Sequence, residues 1–276
     1  MTATYSFQAA ITAAVRDLSE HGYDSQERVE YWSRIIREAA VHSMIPEYRL
    51  EEQLSRMFGA TYRRLVDDGQ ILKRHPGVAR FTLERIKPKL RAELDRRRMA
   101  SANLIKLNRA KMIEQTVQRY QGWATSVPPG GSDAVPKAEI KEGIRKPLAS
   151  LPFEERRVHI DQAHKFVANL HNIVATDTGA LAARWVSHWR QKNYNYREDH
   201  KERDGHIYVM RGNWALERGL MKLDGHQYTD EITMVGEEVF CRCSYTYLYS
   251  LLDLPPGMVT DKGRDELRRA KAFLSI

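Results

Sequence analysis

The sequence predicts an α+β protein, with a mostly helical N-terminal half followed by a C-terminal domain of helices packed with a small, largely antiparallel sheet. Apolar residues recur every three or four positions through residues 1–120, and a stretch rich in proline and glycine at 127–132 ends that pattern. Beyond residue 194, two segments alternate with a period of two. Apolar residues make up 42% of the chain, which predicts a packed core and excludes wholesale disorder.

Three helices are predicted in the first part of the chain. Gly22 ends the first helix, Ser25 caps the second and Pro46 begins the third. Their apolar faces consist of Phe7, Ile11, Ala14 and Leu18 in the first, Val29, Trp32, Ile36, Ala39 and Ala40 in the second, and Leu50, Leu54, Phe58 and Leu65 in the third.

The next segment combines a long predicted helix with the excess positive charge of the chain. The helix is expected over 83–120, with Pro88 near its start, or else as two helices that meet near 101–103. Within 85–119, eleven basic residues stand against Glu93, Asp95 and Glu114, and eleven minus three equals the net charge of +8. Such a stripe is either a solvated helix face or a contact surface for double-stranded DNA or an acidic protein. The candidate DNA-binding residues are Arg85, Lys87, Lys89, Arg91, Arg96, Arg97, Arg98, Lys106, Arg109, Lys111 and Arg119.

Helical spacing resumes in the second half and then gives way to strands. The helical positions are Ile160, Ala163, Val167, Leu170 and Val174, continuing after 177–179 through Leu181, Trp185 and Trp189. Strands are predicted over 206–210 and 239–247, and a last helix over 262–274. The predicted organisation is a helical domain with a basic long helix (1–121), a linker (122–150), a C-terminal domain (151–260) and a C-terminal helix (261–276).

Residues 1–20 lack the basic start and apolar block of a secretory signal, and no apolar run approaches the roughly 18 residues of a membrane span. The two cysteines are one residue apart, which argues against a disulfide framework and favours a reducing compartment. We therefore expect a protein that folds in cytoplasm and has no membrane partner.

These two cysteines form the most informative constellation of the chain. In a strand, Cys241 and Cys243 would point to the same face, with Arg242 on the other. Two thiolates on one face can share a zinc ion, with His200 as the third ligand and His206, His226 or an acid as the fourth. The alternative is that both cysteines are small apolar core side chains, with His200 hydrogen-bonded nearby and no cofactor.

The order and spacing of these residues resemble the phage Mu F-like head morphogenesis family, the minor head proteins of tailed bacteriophages. The family pattern runs from a helical acidic segment to a tryptophan, then Arg-x-x-His, then Asp-Gly, and closes on Gly-Glu-x-x-Asn-Cys-Arg-Cys. The matching residues are Asp161, Gln162, Trp189, Arg197, His200, Asp204, Gly205, Gly236, Glu237, Cys241, Arg242 and Cys243. Two departures are Phe240, where the family usually has asparagine, and a longer stretch at 211–231.

The resemblance implies a structural, non-enzymatic role in capsid assembly, with the C-terminal domain at 151–260 as the family domain. Members associate with the portal protein and with other capsid or scaffold subunits, and some bind DNA. The expected location is the virion, in the capsid interior near the portal vertex, after assembly in the host cytoplasm.

Two other functions compete with this interpretation. A metal-dependent hydrolase or nuclease could use His200 with Cys241 and Cys243, but the chain has no His-Glu-x-x-His, phosphate-binding loop or Gly-x-Ser-x-Gly motif. A DNA-binding regulator would need a helix-turn-helix, with which the segment 49–69 is only loosely compatible.

Overall fold

The computed structural model describes residues 5–134 and 136–274 and confirms the α+β class, with eight α-helices and a three-stranded antiparallel sheet in those ranges. The helices are α1 (Phe7–His21), α2 (Gln26–Ser43), α3 (Glu47–Tyr62), α4 (Arg80–Ala124), α5 (Lys137–Asp177), α6 (Glu198–Glu202), α7 (Trp214–Glu217) and α8 (Asp261–Leu274). The strands are β1 (Ala182–Val186), β2 (Ile207–Val209) and β3 (Ser244–Leu248). None of the described helices combines the length and hydropathy that crossing a bilayer requires.

The first helices begin and end at capping residues of the kinds that favour helix ends. The hydroxyl of Ser6 accepts a hydrogen bond from the backbone N–H of Ala9, and that of Ser25 accepts one from Arg28. Gly22 ends α1 with a φ of +74°, a conformation that glycine adopts without a steric penalty. The third predicted helix also starts as expected, directly after Pro46.

The chain divides into two compact units, each made of two segments. The first unit comprises Met1–Leu54 and Met99–His159, and the second comprises Ser55–Arg98 and Ile160–Ile276. The boundaries fall inside α3, α4 and α5, so they differ from the consecutive domains predicted at 1–121 and 151–260. The predicted linker at 122–150 also differs, because α4 continues to Ala124 and α5 already begins at Lys137.

The basic segment forms a single helix. Helix α4 extends over 45 residues with Pro88 in its interior, so the alternative of two helices that meet near 101–103 is wrong. In the first unit, the C-terminal part of α4 packs Val117 and Tyr120 against an apolar cluster that includes Ile11, Leu18 and Ile36. Burial of this face explains why the helix continues through a segment rich in charge.

The helical continuation predicted through Leu181, Trp185 and Trp189 is wrong. Helix α5 ends at Asp177, Gly179 takes a φ of +76°, and the chain enters β1. The predicted strand at 206–210 is confirmed as the shorter β2, and the one at 239–247 begins later, as β3 at Ser244. The predicted last helix at 262–274 is confirmed as α8.

The sheet of the second unit has the order β2-β1-β3 and is buried on both faces. Ala183 of β1 lies opposite Tyr208 on one side and Tyr247 on the other. One face packs Ala182, Val209 and Leu248 in an apolar cluster with Met258. The other face carries Trp185 and, on the segment before β3, the two cysteines, which places the candidate site against this face of the sheet.

Candidate functional site

The two cysteines lie in an irregular loop that leads into β3, not in a strand. Cys241 and Cys243 are buried, whereas Arg242 between them is partly exposed. The prediction that the thiols share one side is therefore confirmed, although its reason differs. Gly236 opens the loop with a φ of +81°, and a Cβ there would lie 3.0 Å from the Cβ of Ala168 on α5. Glycine thus allows the loop to approach that helix closely.

His200 faces both thiols. It lies in the short helix α6, where its ring packs edge-on against Trp185 with the ring centroids 5.2 Å apart. Its Nδ1 atom is 3.7 Å from Sγ of Cys241 and 3.6 Å from Sγ of Cys243. Because His200 is only 2% exposed, the ring is fixed by packing. The predicted grouping of His200 with the cysteine pair is present in the structure.

The other ring nitrogen of His200 faces carboxylates. Nε2 lies 3.4 Å from Glu238 Oε1 and 3.8 Å from Asp199 Oδ2, but it is buried without a well-aligned hydrogen bond. Arg197 holds Glu238 in place, with its Nε 2.8 Å from the second carboxylate oxygen, and donates to the backbone oxygen of Val239. The Arg-x-x-His spacing thus puts Arg197 beside the carboxylate that His200 faces.

The two thiols differ in acidity. The hydrogen bond from the Cys243 thiol, together with the N–H of Gly236, lowers the pKa of Cys241 to about 6 despite its burial. The same hydrogen bond and burial raise the pKa of Cys243 above its usual range. The pair therefore stabilises one negative charge in an otherwise apolar region, beside an imidazole.

The donor set fits three positions of a zinc site. The ligand atoms of His200, Cys241 and Cys243 all lie within 4.8 Å of one another. With usual zinc–sulfur and zinc–nitrogen bond lengths, a tetrahedral ion separates a thiolate from an imidazole nitrogen by about 3.6 Å, close to the two separations given above. Glu238, near Nε2, occupies the place of the carboxylate that often orients a metal-bound histidine.

The fourth ligands proposed from the sequence do not join this group. Among the described residues, the ligand atoms that cluster with both thiols come from His200 alone. His226 instead places its Nδ1 3.1 Å from the backbone oxygen of Ile207, and His206 is exposed. The described side chains therefore supply three of the four ligands of a tetrahedral zinc ion.

A second group of motif residues forms hydrogen bonds within the connection between β1 and β2. Asp204 accepts hydrogen bonds from the backbone N–H of Ser187, at 2.8 Å, and from the indole N–H of Trp189, at 3.0 Å. The N–H of Ser187, then Trp189 and Arg190, lower the pKa of Asp204 below its usual value. Gly205 follows with a φ of +83° and donates its N–H to the backbone oxygen of Trp185. Trp189 and Asp204 thus form one local unit.

The residues that open the pattern contact the cysteine loop directly. Asp161 on α5 is buried, and its Oδ1 accepts a hydrogen bond of 2.5 Å from the backbone N–H of Phe240. Its other oxygen lies 3.1 Å from Lys165 Nζ and accepts from Gln162. Sequence reasoning paired Asp161 with the family pattern but did not foresee this contact.

The sequence motifs did not identify Tyr194 as a residue of the site. Its hydroxyl donates to the backbone oxygen of Phe240 and accepts from the N–H of Arg242, whose guanidinium lies over the Tyr194 ring. The only signal in the sequence is an aromatic residue three positions before Arg197. Since backbone atoms form both hydrogen bonds, no side-chain pattern could have indicated the pairing.

No protein-family model, curated protein or solved structure matches this chain. The interpretation of the cluster therefore rests on its own geometry and on the motif spacing.

The basic stripe is largely neutralised, half of its paired cations by acids within 85–119 and the other half by acids outside that range. Eight of its residues form ion pairs: Lys87 with Glu84 and Asp67, Lys89 with Asp177, Arg91 and Arg98 with Asp95, Arg96 and Arg97 with Glu93, Lys106 with Glu47 and Glu51, and Arg109 with Glu155. Arg97 and Arg109 are also buried, and Arg119 donates to the backbone oxygen of Gly143. Arg85 and Lys111 are exposed, and no described acid pairs with them.

Proposed function

We propose that this protein is a structural minor head protein of a tailed bacteriophage, which associates with the portal protein during head assembly. The observation that carries the proposal is the convergence of the motif residues in space. Asp161, which opens the pattern, bonds the backbone of Phe240, 79 positions along the chain and next to the cysteines that close it. A chance match of spacing gives no reason for such distant residues to form one connected cluster.

The cluster favours a structural role over catalysis. The three donors are almost fully buried, with exposed fractions of 2% for His200, 1% for Cys241 and 7% for Cys243. A catalytic metal keeps a coordination position open to substrate, whereas a structural site is closed. The alternative of a metal-dependent hydrolase or nuclease is supported by the identity and the number of the donors, because three protein ligands leave a fourth position for water or substrate.

The same donors support a narrower proposal, that the protein binds one structural zinc ion. His200, Cys241 and Cys243 would hold the ion, and Glu238 would orient the histidine. Bound there, zinc would link α6 to the loop before β3, because its ligands come from both. The lowered pKa of Cys241 supports this proposal, since zinc binds the thiolate form.

The proposed role requires the protein to be part of the particle. Mass spectrometry of purified virions of its own phage should detect the protein in far fewer copies than the major capsid protein. The major capsid protein provides the internal standard for copy number. Absence of the protein from full virions and from assembling proheads alike would contradict the proposal.

DNA binding by the stripe is proposed on Arg85 and Lys111, the two stripe cations with neither an acid partner nor a backbone acceptor among the described residues. If DNA binds there, Arg85→Gln should lower the slope of log affinity against log salt by about 0.9, since one phosphate contact is lost. Arg97→Gln is the matched control and should leave the slope unchanged, because Arg97 is buried against Glu93 and Gln162. Fluorescence anisotropy with duplex DNA measures both. A slope near zero for the unmodified protein would leave the stripe as a solvated surface.

A further inference from the structure

The second unit contains a cavity of about 500 Å³, and Cys243 of the proposed zinc site forms part of its wall. Its lining comes from the end of α3 and the segment after it, from α5, from the connection after β1, and from the chain leading into and along β3. Three arginines and three histidines line it: Arg64, Arg74, His164, His171, His188 and Arg242. The other titratable lining residues are Cys243, Tyr245 and Tyr247. No aspartate or glutamate occurs among the described lining residues.

The positive charge of this cavity is not neutralised by the fold. Among the described residues, neither Arg64 nor Arg74 forms an ion pair, in contrast to the eight paired cations of α4. Arg242 lies over the ring of Tyr194, 5.5 Å from its centroid, and no described carboxylate forms an ion pair with it. Like charges gathered around a concave surface concentrate the electrostatic field there. The cavity is therefore suited to an anion.

A buried hydrogen-bonded chain ends at this cavity. His171 lines it, and its Nδ1 lies 2.9 Å from Nε2 of His75, whose Nδ1 lies 2.6 Å from the hydroxyl of Tyr249. Burial is the main cause that lowers the pKa of His171 to about 4 and that of His75 to about 3. Both rings are thus neutral near pH 7, and each has one N–H to donate.

The chain can supply a donor at the cavity. If Tyr249 donates to His75, then His75 donates to His171, and the remaining N–H of His171 is on Nε2. In this order the 3.1 Å contact between the hydroxyls of Tyr249 and Thr178 receives no hydrogen from Tyr249, because Tyr249 has one O–H and donates it to His75. An anion in the cavity would select this order, since the reverse order leaves Nε2 of His171 as an acceptor.

Most of the remaining lining is apolar or aromatic, including Leu65, Ile160, Val167 and Tyr245. A ligand that fills the cavity therefore needs both an anionic group and an apolar or aromatic body. Guanidinium groups match phosphate oxygens in geometry as well as charge. We propose that this cavity binds a nucleoside phosphate, either as a free nucleotide or as the phosphorylated end of a nucleic acid strand.

The test is calorimetric titration of the full-length protein with adenosine 5′-monophosphate, adenosine and inorganic phosphate. The monophosphate should bind at least about tenfold more tightly than either fragment, because only it uses both parts of the cavity. Arg74→Gln should weaken its binding by roughly tenfold or more. Arg184→Gln, at an exposed arginine of β1 that does not line the cavity, is the matched control and should have no effect.

A second variant tests the cavity by volume alone. Ala163→Trp should fill it and abolish binding without changing any charge, in a protein whose melting curve shows that it is folded. Tighter binding of a 5′-phosphorylated trinucleotide than of the mononucleotide would assign the site to a strand end, and the reverse to a free nucleotide. The proposal is overturned by no binding up to about 1 mM, by equal binding of adenosine or phosphate, or by equal effects of Arg74→Gln and Arg184→Gln.

Discussion

Replacing Asp161 with alanine is expected to lower the free energy of unfolding by about 3 kcal/mol or more. Asp161 is 5% exposed, and its carboxylate accepts the N–H of Phe240 while facing the ammonium group of Lys165. Without it, Lys165, whose side chain is 14% exposed, loses its counter-charge and the cysteine loop loses its bond to α5. A buried charge without its partner is much more costly than a surface charge without one.

Asp177→Ala is the matched control for this prediction. Asp177 lies on the same helix and pairs with Lys89, but the lysine is largely exposed to solvent. Its loss should therefore cost less than about 1 kcal/mol. Urea denaturation at neutral pH measures both variants on one scale. Equal costs for the two would mean that the bond between α5 and the loop does not hold the cluster together.

Removing zinc is the second change for which we expect a large effect. The purified protein should contain about one equivalent of zinc, and a chelator should lower its melting temperature by roughly 8–16 °C. This range assumes about 4 kcal/mol of stabilisation at free zinc a thousandfold above the dissociation constant. Cys241→Ser and His200→Ala should each remove the metal and cause a similar loss. The double variant should lose little more, because both changes break one site.

His206→Ala is the control, since His206 is exposed and lies outside the donor group. It should retain zinc and the melting temperature of the unmodified protein. Metal-free protein whose melting temperature does not respond to chelator would instead support the apolar-core interpretation of the cysteines. In that case Cys241→Ser should have only the modest cost of a buried hydroxyl, and it should add to that of His200→Ala.

Local patterns predicted the helices with clear ends but not the boundary between α5 and β1. Leu181, Trp185 and Trp189 are spaced by four, which places them on one face of a helix and equally on one face of a strand. Burial decided the outcome, because Ala183 and Trp185 pack on one face of the sheet while Arg184 points to solvent. Such a choice depends on β2 and β3, which come later in the sequence.

The extent to which folding neutralises the basic stripe could not be predicted from residues 85–119 alone. Counting along 85–119 included three acids, yet Lys87, Lys106 and Arg109 pair with acids outside that range. Folding brings these acids close, so the positive field of α4 is weaker than the count implied. Pairing across tens of residues leaves no periodicity in the sequence.

The backbone conformation of Phe240 gives a physical reason for the asparagine that the family pattern usually has at this position. Phe240 has a φ of +60°, in the left-handed region, where asparagine is tolerated better than a bulky side chain. The asparagine usual in the resembling family suits this conformation. In the present chain, the N–H of Phe240 donates to Asp161 and its backbone oxygen accepts from Tyr194, and these two bonds hold the turn.

We expect the protein to associate with the portal through its first unit. Tyr48 on α3 and Leu107 on α4 are exposed by 64% and 68%, and Lys106 links the two helices through Glu47 and Glu51. A fragment cut between 121 and 150 would split both units, so full-length variants are required. The control is Leu252→Asp in the second unit, where Leu252 is 63% exposed.

The most direct test is affinity capture of the portal protein of the same phage by the full-length chain. The unmodified protein and Leu252→Asp should retain the portal, whereas the double variant Tyr48→Asp, Leu107→Asp should lose it while keeping its melting temperature. Failure of the unmodified protein to capture the portal, or loss of capture only in Leu252→Asp, would contradict the account.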